Sequence, residues 1–580
     1  MYEDLFIINF FGNFLVTFLF LIICVFYSYS FSNFLNQKKI FFFNEFQPLV
    51  VFYLIFLVYS LLFNLLIILD LYQLFGISFY IIFISKILFL ISRLSYLKNL
   101  KFEIHKYFSE GKYIFFIFIL LFLISILPIS DADSISLHQH LANKIFKEGL
   151  ENINFDKNIS FTIFSNTQNL LIFSPILKSD NFGSQLNIII LVFFIFLNIK
   201  NHKNFTYVLF SSPLIIYFIS TQKLQLFFSF LFLVIFILIN KGYLKTKLEL
   251  FLSVLLLVFY ASGNLSYILF ALPLYLFLFI NKKKNWSNII FYSIISFLII
   301  LLPIFVIKQI YFQNILAPFF DEILGINNVL YNAYSLSIRS TSGWLGDYQN
   351  LSLYLKPFIS FSINEFSSSL GIIFLLMLLN FRLLKNTKYF PLIIIAIVIS
   401  TGQILPRYYF ESFLILAYYF DMKNLFSKII IVTHNLLIVF ISLGFIYYAY
   451  IDSNILSAKS KYMNKFSYTY YNSQEIKKLG IDENILYLSA SRASLFYPKN
   501  VYSARSLNLI DGFYDRNEYL KKFITINSIK YLIKDKNTNL PTCLSIIKIG
   551  NINQRMAVRN FLRNEKIKIN EVFKINSNNC

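Results

Sequence analysis

Apolar runs long enough to cross a bilayer recur along most of the chain, and no other feature limits the fold so strongly. About 17 to 25 such residues span the hydrocarbon core as a helix. Runs of this kind, some short and some merging, lie near 5–30, 47–69, 72–92, 113–129, 186–199, 205–219, 225–240, 248–263, 265–280, 288–308, 368–383, 389–404, 408–421 and 428–449. The expectation is an α-helical polytopic membrane protein of about 12–14 spans. Composition agrees: 57% of the 580 residues are hydrophobic and only 14% charged, where a soluble chain carries about a quarter charged. The first run is flanked by Glu3 and Asp4 rather than by basic residues, so a cleavable signal peptide is not expected.

The net charge of +22 does not imply a nucleic-acid partner, because no basic stripe interleaves with aromatics on a soluble face. Much of the charge lies in short connections: Lys38 and Lys39, Arg93 to Lys112, Lys200 and Lys203, Lys241 to Lys247, Lys282 to Lys284, Arg382 to Lys388, and Lys423 with Lys428. The alternate connections hold fewer than half as many basic residues. Positive connections stay in the cytoplasm. The Asp131 stretch, the loops 130–185 and 309–366, the Arg407 turn and the C-terminal tail then share the outer face. This expects a multi-pass membrane protein with its C-terminal domain on the outer face.

The first outer loop is too long for a turn. Phe161, Phe164, Leu170, Leu171, Phe173 and Ile176 among polar residues suggest helices lying in the interface. In the other long loop, Ile315–Leu330 reads as a re-entrant or interfacial helix, followed by a polar stretch with Arg339, Trp344 and Asp347. After Tyr450 the chain turns polar and basic. Strand-like runs at 485–489, 529–533 and 544–549, with helical patterns at 515–526 and 554–564, suggest a small α/β domain. Three regions follow: additional spans at 1–112, a membrane core at 113–450 and the extramembrane domain at 451–580. Cys24 lies in the first run, with Cys543 and Cys580 in the tail. Their spacing offers no zinc site, and a Cys543–Cys580 disulfide stays open.

The residues able to do chemistry gather at the outer edge. The polar segment 130–149 follows directly on an apolar run and places Asp131, Asp133, His138 and His140 at a membrane exit. A carboxylate there suits a base acting on a lipid-borne substrate. It equally suits an interfacial cap, with Ser134 capping the next helix and His138 about one turn on. Lys223 in Ser220–Gln225 and Arg407 in Leu405–Glu411 are the other edge cations. The guanidinium fork matches phosphate, while the ammonium is a mobile point charge. Lys223 also reads as a snorkelling lysine, and Arg407 as a helix-end partner of Glu411. His105, His202 and His434 are scattered and ordinary.

Asp133-Ser-Ile-Ser-Leu-His138 resembles the Asp-Ala-Leu-Ser-Tyr-His pattern in the first outer loop of many bacterial GT-C fold glycosyltransferases, the dolichyl-phosphate-mannose-type or polyprenyl-phosphate-sugar-dependent group. Gln313–Phe320 is similar to their Gly-Asn-Pro-Xaa-Tyr-Pro-Phe-Phe loop, and Pro406-Arg407-Tyr408 to their Arg-Tyr motif. Ser220 to Gln225 sits where their second outer loop carries a Lys or Asp. The likeness covers most of 110–450, through short motifs. Leu137 and Gln139-His140 depart from it, and Gln168-Asn169 stands where many relatives have a second acidic residue.

The resemblance implies a GT-C-like core and an inverting transfer from a polyprenyl-phosphate sugar to a glycan or lipid acceptor, among membrane lipids. Asp133, or else Asp131, would be the base. Arg407 and Lys223 would hold the leaving phosphate, and His138 would orient the base or meet the acceptor. His140, Tyr408 and Arg339 complete the substrate-binding candidates. No cofactor is certain, and a divalent metal stays open, with no metal ligand assigned. The alternative is a non-GT-C protein of glycan assembly, such as an O-antigen polymerase or flippase, or a transporter. A transporter wants charge inside the bundle, and the mid-span regions are nearly free of it.

Overall fold

The structure, a computed structural model, describes residues 6–38, 43–93, 112–131, 133–153, 159–198, 203–317, 358, 369–401, 405–452, 459–488, 496–503, 516–536, 538–540, 544–555 and 567–578. Three helices come first, α1 (Phe6–Gln37), α2 (Gln47–Ile68) and α3 (Phe75–Ser92). After α4 (Lys112–Ile126) the first long loop holds α5 (Gln139–Glu148), entered through a π-helical turn at Ser134–His138, then α6 (Asn166–Leu170) and α7 (Phe173–Ile176). The bundle continues with α8 (Phe182–Asn198), α9 (Lys203–Leu209), α10 (Leu214–Ile219), α11 (Gln225–Asn240), α12 (Lys247–Ser262) and α13 (Leu265–Asn281). It closes with α14 (Trp286–Ser296), α15 (Leu302–Phe312), α16 (Ile372–Leu378), α17 (Phe381–Asn386), α18 (Phe390–Ser400), α19 (Phe410–Tyr419) and α20 (Leu425–Ile446).

Five stretches among the described residues are long and apolar enough to cross a bilayer: Asn13–Gln37, Gln47–Ile68, Tyr72–Ser92, Lys283–Phe312 and Leu425–Asp452. α3 exposes Ile77, Ile81, Ile84 and Leu88, and α20 exposes Ile429, Val432, Leu436 and Phe440. Apolar faces of this extent belong against lipid, and the protein is membrane-embedded. Against the 12–14 spans expected, the described residues hold these five of full spanning length. The remaining apolar helices are shorter, and two expected spans are broken. Pro213 starts α10 afresh after Leu209, because proline cannot continue the hydrogen-bond ladder. Asn380 caps α17 through Leu383 N and separates it from α16.

Polar side chains set the helix starts. Thr246 and Glu249 form a capping box on α12, and Asn264 and Asn424 cap α13 and α20. The connections sort into two ends. One is rich in lysine: Lys241 lies 3.8 Å from Glu45 and bonds Tyr418 Oη at 3.1 Å, while Lys282 donates to Leu244 O at 2.6 Å. The other end gathers Asp131, Asp133, Asp180, Lys223 and Arg407.

Residues 159–176 do not lie in the interface as expected. Phe161, Phe164, Leu170, Leu171 and Phe173 are fully buried. Their polar neighbours explain the difference. Asn166 accepts from Ser60 Oγ at 2.6 Å and from Asn64 at 3.0 Å, and donates to Ser262 at 2.7 Å. Asn169 donates to Asn64. This amide network draws α6 down between α2 and α12.

The C-terminal part opens with α21 (Lys459–Phe466) and α22 (Tyr468–Lys477) and contains α23 (Arg516–Ile526). Its strands are β1 (Ile485–Tyr487), β2 (Val501–Ser503), β3 (Tyr531–Lys534), β4 (Leu544–Arg555) and β5 (Ile567–Asn578), in sheet order β2-β1-β3-β5-β4. β1 runs parallel to β2 and β3, and β5 antiparallel to β3 and β4. Leu486 and Leu532 pack on Leu520 and Phe523 of α23, while Ile485, Tyr487 and Ile533 pack with Ile476 of α22. The helix expected at 554–564 is corrected at its start, since β4 continues to Arg555 through its pairing with Ile567; 556–566 lie outside the described residues. So do Cys543 and Cys580.

This domain sits on the polar end. Tyr462, Met463 and Tyr470 pack against Leu127, Ile129 and Ile135, and Lys459 Nζ lies 2.5 Å from Asp180 Oδ2. The closest backbone approach at that end is at Gly183, where an added Cβ would meet Gln222 O at 2.6 Å. Gly183→Ala is expected to cost about 1–3 kcal/mol and lower the Tm of the detergent-solubilised protein. Gly444→Ala, in open space, is expected to leave it unchanged or raised.

Candidate functional site

Two chain breaks coincide at the polar end, and carboxamides from α8 and the residue before it hold them together. Asn181 Nδ2 donates to the freed carbonyls of Ser125, Ile126 and Leu127 at 2.7–2.9 Å, closing the end of α4. Asn187 Nδ2 donates to Phe218 O at 3.0 Å and Lys223 O at 2.6 Å, and its oxygen accepts Phe227 N at 3.2 Å. Gly183 N donates to Gln222 Oε1 at 2.6 Å. The turn 220–224 is thereby fixed, and Gln222 N reaches Ser134 Oγ at 3.0 Å.

Lys223 therefore faces the 131–138 segment. Its Nζ lies 2.8 Å from Asp133 Oδ2, 3.9 Å from Asp131 Oδ2 and 2.8 Å from Tyr217 Oη. Its side chain is only 10% exposed, against 31% for Asp133, so this lysine does not snorkel into water. Asp131 is the helix cap: its Oδ2 accepts Ser134 N and Ser134 Oγ, both at 2.9 Å, and its carbonyl accepts Ile135 N. Ser134, expected as the cap, lies three residues inside, because the helix begins earlier than the sequence pattern suggests.

Arg407 is half-buried. Its Nη2 donates to Tyr408 Oη at 3.4 Å, and its guanidinium lies 5.1 Å from the Tyr408 ring. Burial opposes its charge, and Tyr408, Tyr217 and Asp131 outweigh that, so its pKa is raised. The expected Arg407–Glu411 pair does not form. Glu411 is fully buried one turn on and accepts from Ser229 Oγ at 2.9 Å and Tyr260 Oη at 3.4 Å.

His138 belongs to the same group. Burial pushes its imidazole down to about 3, with Lys223 and Arg407 adding and Asp131 opposing. Its Nδ1 lies 3.2 Å from Gln168 Nε2. His140 packs edge-on against Phe161 at 5.1 Å. Arg339 and residues 318–357 lie outside the described residues.

The structure thus joins Asp131, Asp133, His138, Lys223, Arg407 and Tyr408, and adds Tyr217 and Gln168, which sequence reading did not place there. Tyr217 had a signal: an aromatic at a span end, six residues before an edge lysine. Two buried lysines also escaped that reading. Lys86 donates to Tyr59 Oη at 2.9 Å, and Lys308 donates to Thr162 O at 3.3 Å and Ala317 O at 2.5 Å. Among the described residues no three of His, Cys, Asp and Glu cluster as metal ligands. Since the Lys223 ammonium already stands beside both carboxylates, these residues do not fit a resident divalent ion. Compared with known families, characterised proteins and solved structures, the chain matches none.

Two expectations separate the carboxylates. Asp131→Ala, by removing a cap, costs about 1 kcal/mol of stability, whereas Asp133→Asn, a partly exposed ion-pair partner, costs under about 1 kcal/mol; thermal melts of both variants check this. His138 is neutral when folded and ordinary when unfolded, so it favours the fold above about pH 6.5 and loses that advantage as the pH falls. About 2 kcal/mol is lost between about pH 6.5 and about pH 5, and His138→Gln removes that slope.

Proposed function

We propose that this chain is a GT-C-like glycosyltransferase of a bacterial inner membrane, moving a sugar from a polyprenyl phosphate to a hydroxyl of a cell-surface glycan or lipid on the outer face. The observation that carries the reading is the meeting of two carboxylates, an ammonium and a guanidinium from distant parts of the chain at one end of an apolar bundle. A lipid-linked phosphate needs cations at the membrane edge, and a hydroxyl nucleophile needs a base beside them.

At this end of the bundle Lys223 is paired with Asp133. A donor phosphate entering between Lys223 and Arg407 competes for that ammonium and frees Asp133. The acceptor oxygen then attacks the sugar's anomeric carbon, Asp133 takes its proton, and the carbon–phosphate oxygen bond breaks. The departing phosphate gathers charge where Lys223 and Arg407 are already oriented, the electrostatic contribution that dominates such transfers. Asp131 holds the helix and so the position of Asp133. The lysine-rich end faces the cytoplasm, which puts the C-terminal domain on the periplasmic side with the acceptor. A flippase or transporter would need its acidic groups along the bundle, whereas Asp131 and Asp133 stand at its end.

The test uses the full chain in nanodiscs with a polyprenyl monophosphate, together with the sugar content of the cell-surface glycan. The wild type is expected to bind the lipid phosphate, with Arg407→Ala and Lys223→Ala each weakening binding about tenfold or more (about 1.4 kcal/mol). Asp133→Asn is expected to bind and to abolish transfer. A wild type that ignores the lipid phosphate, or an Asp133→Asn strain with unchanged surface sugar, would overturn the reading.

A further inference from the structure

Lys223 donates to two partners, and one of them is left with a hydrogen of its own to give. Its Nζ lies 2.8 Å from Asp133 Oδ2 and 2.8 Å from Tyr217 Oη. An ammonium has three hydrogens and no lone pair, so in the second bond the lysine donates and the phenol accepts. The phenol's own hydrogen therefore cannot point at Lys223. Tyr217 Oη has no other hydrogen-bond partner among the described residues, and its hydrogen is open to an incoming acceptor.

The fold fixes this hydroxyl. Tyr217 ends α10 one residue after Ile216, and the carbonyls there are held: Ser220 Oγ donates to Tyr217 O at 3.0 Å, and Asn187 Nδ2 to Phe218 O at 3.0 Å. The ring is half-buried against the bundle core and lies 5.7 Å from the Phe218 ring. The Lys223 ammonium stands 5.3 Å from its centroid. Tyr217 also lies within range of the Arg407 charge, so both cations assigned to the donor phosphate are neighbours of this one phenol. A phenol that accepts from an ammonium becomes a better donor, because hydrogen bonds in a chain polarise one another. Tyr408 accepts from Arg407 in the same sense, but at 3.4 Å, a longer and weaker bond.

We propose that Tyr217 is a third ligand of the lipid-linked phosphate, donating its hydroxyl hydrogen to a phosphate oxygen alongside Lys223 and Arg407. The inference rests on the transferase reading and adds a neutral donor to its two cations. The phenol acts as a hydrogen-bond donor only, and no proton leaves it. Its contribution grows as the departing phosphate gathers charge, because hydrogen bonds to charged acceptors are the stronger ones.

The test measures polyprenyl monophosphate binding to the full chain in nanodiscs for the wild type, Tyr217→Phe, Lys223→Ala and the double variant. Tyr217→Phe keeps the ring and its packing, and a thermal melt close to that of the wild type is expected. It should weaken binding about tenfold, as loss of a hydrogen bond to a charged group does, and leave binding of the uncharged polyprenol unchanged. The double variant separates a donor from a mere support. A tyrosine that only steadied Lys223 would have no further effect once that lysine is gone, whereas a direct donor still matters there. The expected result is a loss in both backgrounds, severalfold or more in Lys223→Ala. A Tyr217→Phe protein that binds the lipid phosphate as the wild type does, or whose defect vanishes in Lys223→Ala, would overturn the proposal while the transferase reading stands. A wild type that binds no lipid phosphate overturns both.

Discussion

A helix that stops inside an apolar bundle leaves carbonyls and amides that no water can satisfy, and the polar end of this protein depends on side chains that meet that need. Asn181 serves the last carbonyls of α4, and Asn187 serves the end of α10 and the start of α11. Ser184 donates to Ile219 O. Unsatisfied backbone at such depth costs several kcal/mol per group, so these bonds decide where breaks can occur. The breaks at 127–133 and 219–225 lie side by side, and this sets Lys223 against Asp133 and Asp131.

The same logic separates residues that look alike. Asp131 and Asp133 lie two apart, yet one oxygen of Asp131 is committed to a helix start, while Asp133 pairs with Lys223 and is the more open of the two. Arg407 differs from Lys223 in being stacked on Tyr408 within a short helical turn.

The membrane-embedded helical class, the polar tail domain and the segments that meet at the site were legible from apolar run length and from edge charges such as Lys223 and Arg407. Run length could not show that Ser211-Ser212-Pro213 breaks a helix. Nor could it show that 159–176 is buried, because that burial depends on Asn64 of α2 and Ser262 of α12, about 100 residues away on either side. Asn187 was invisible as a functional position for a related reason. A carboxamide in an apolar run signals an unmet backbone or ring partner, but the sequence does not say which. β5 was missed because its alternation mixes Lys, Asn and Ile, and only pairing with β3 and β4 makes it a strand.

The claim on which the account turns is that residues 90 positions apart in the chain, Asp133 and Lys223, sit face to face at one end of the bundle. Cysteines at 133 and 223, in a Cys24→Ser, Cys543→Ser, Cys580→Ser background in membranes, test it with a short thiol-reactive crosslinker, followed by cleavage of the chain between them. The account predicts that the two fragments stay joined, as they do for a control pair at 180 and 459, and that a membrane-impermeant thiol reagent blocks both pairs from the same side. Fragments that separate for 133 and 223 while the control pair holds, or blocking of the two pairs from opposite sides, would contradict it.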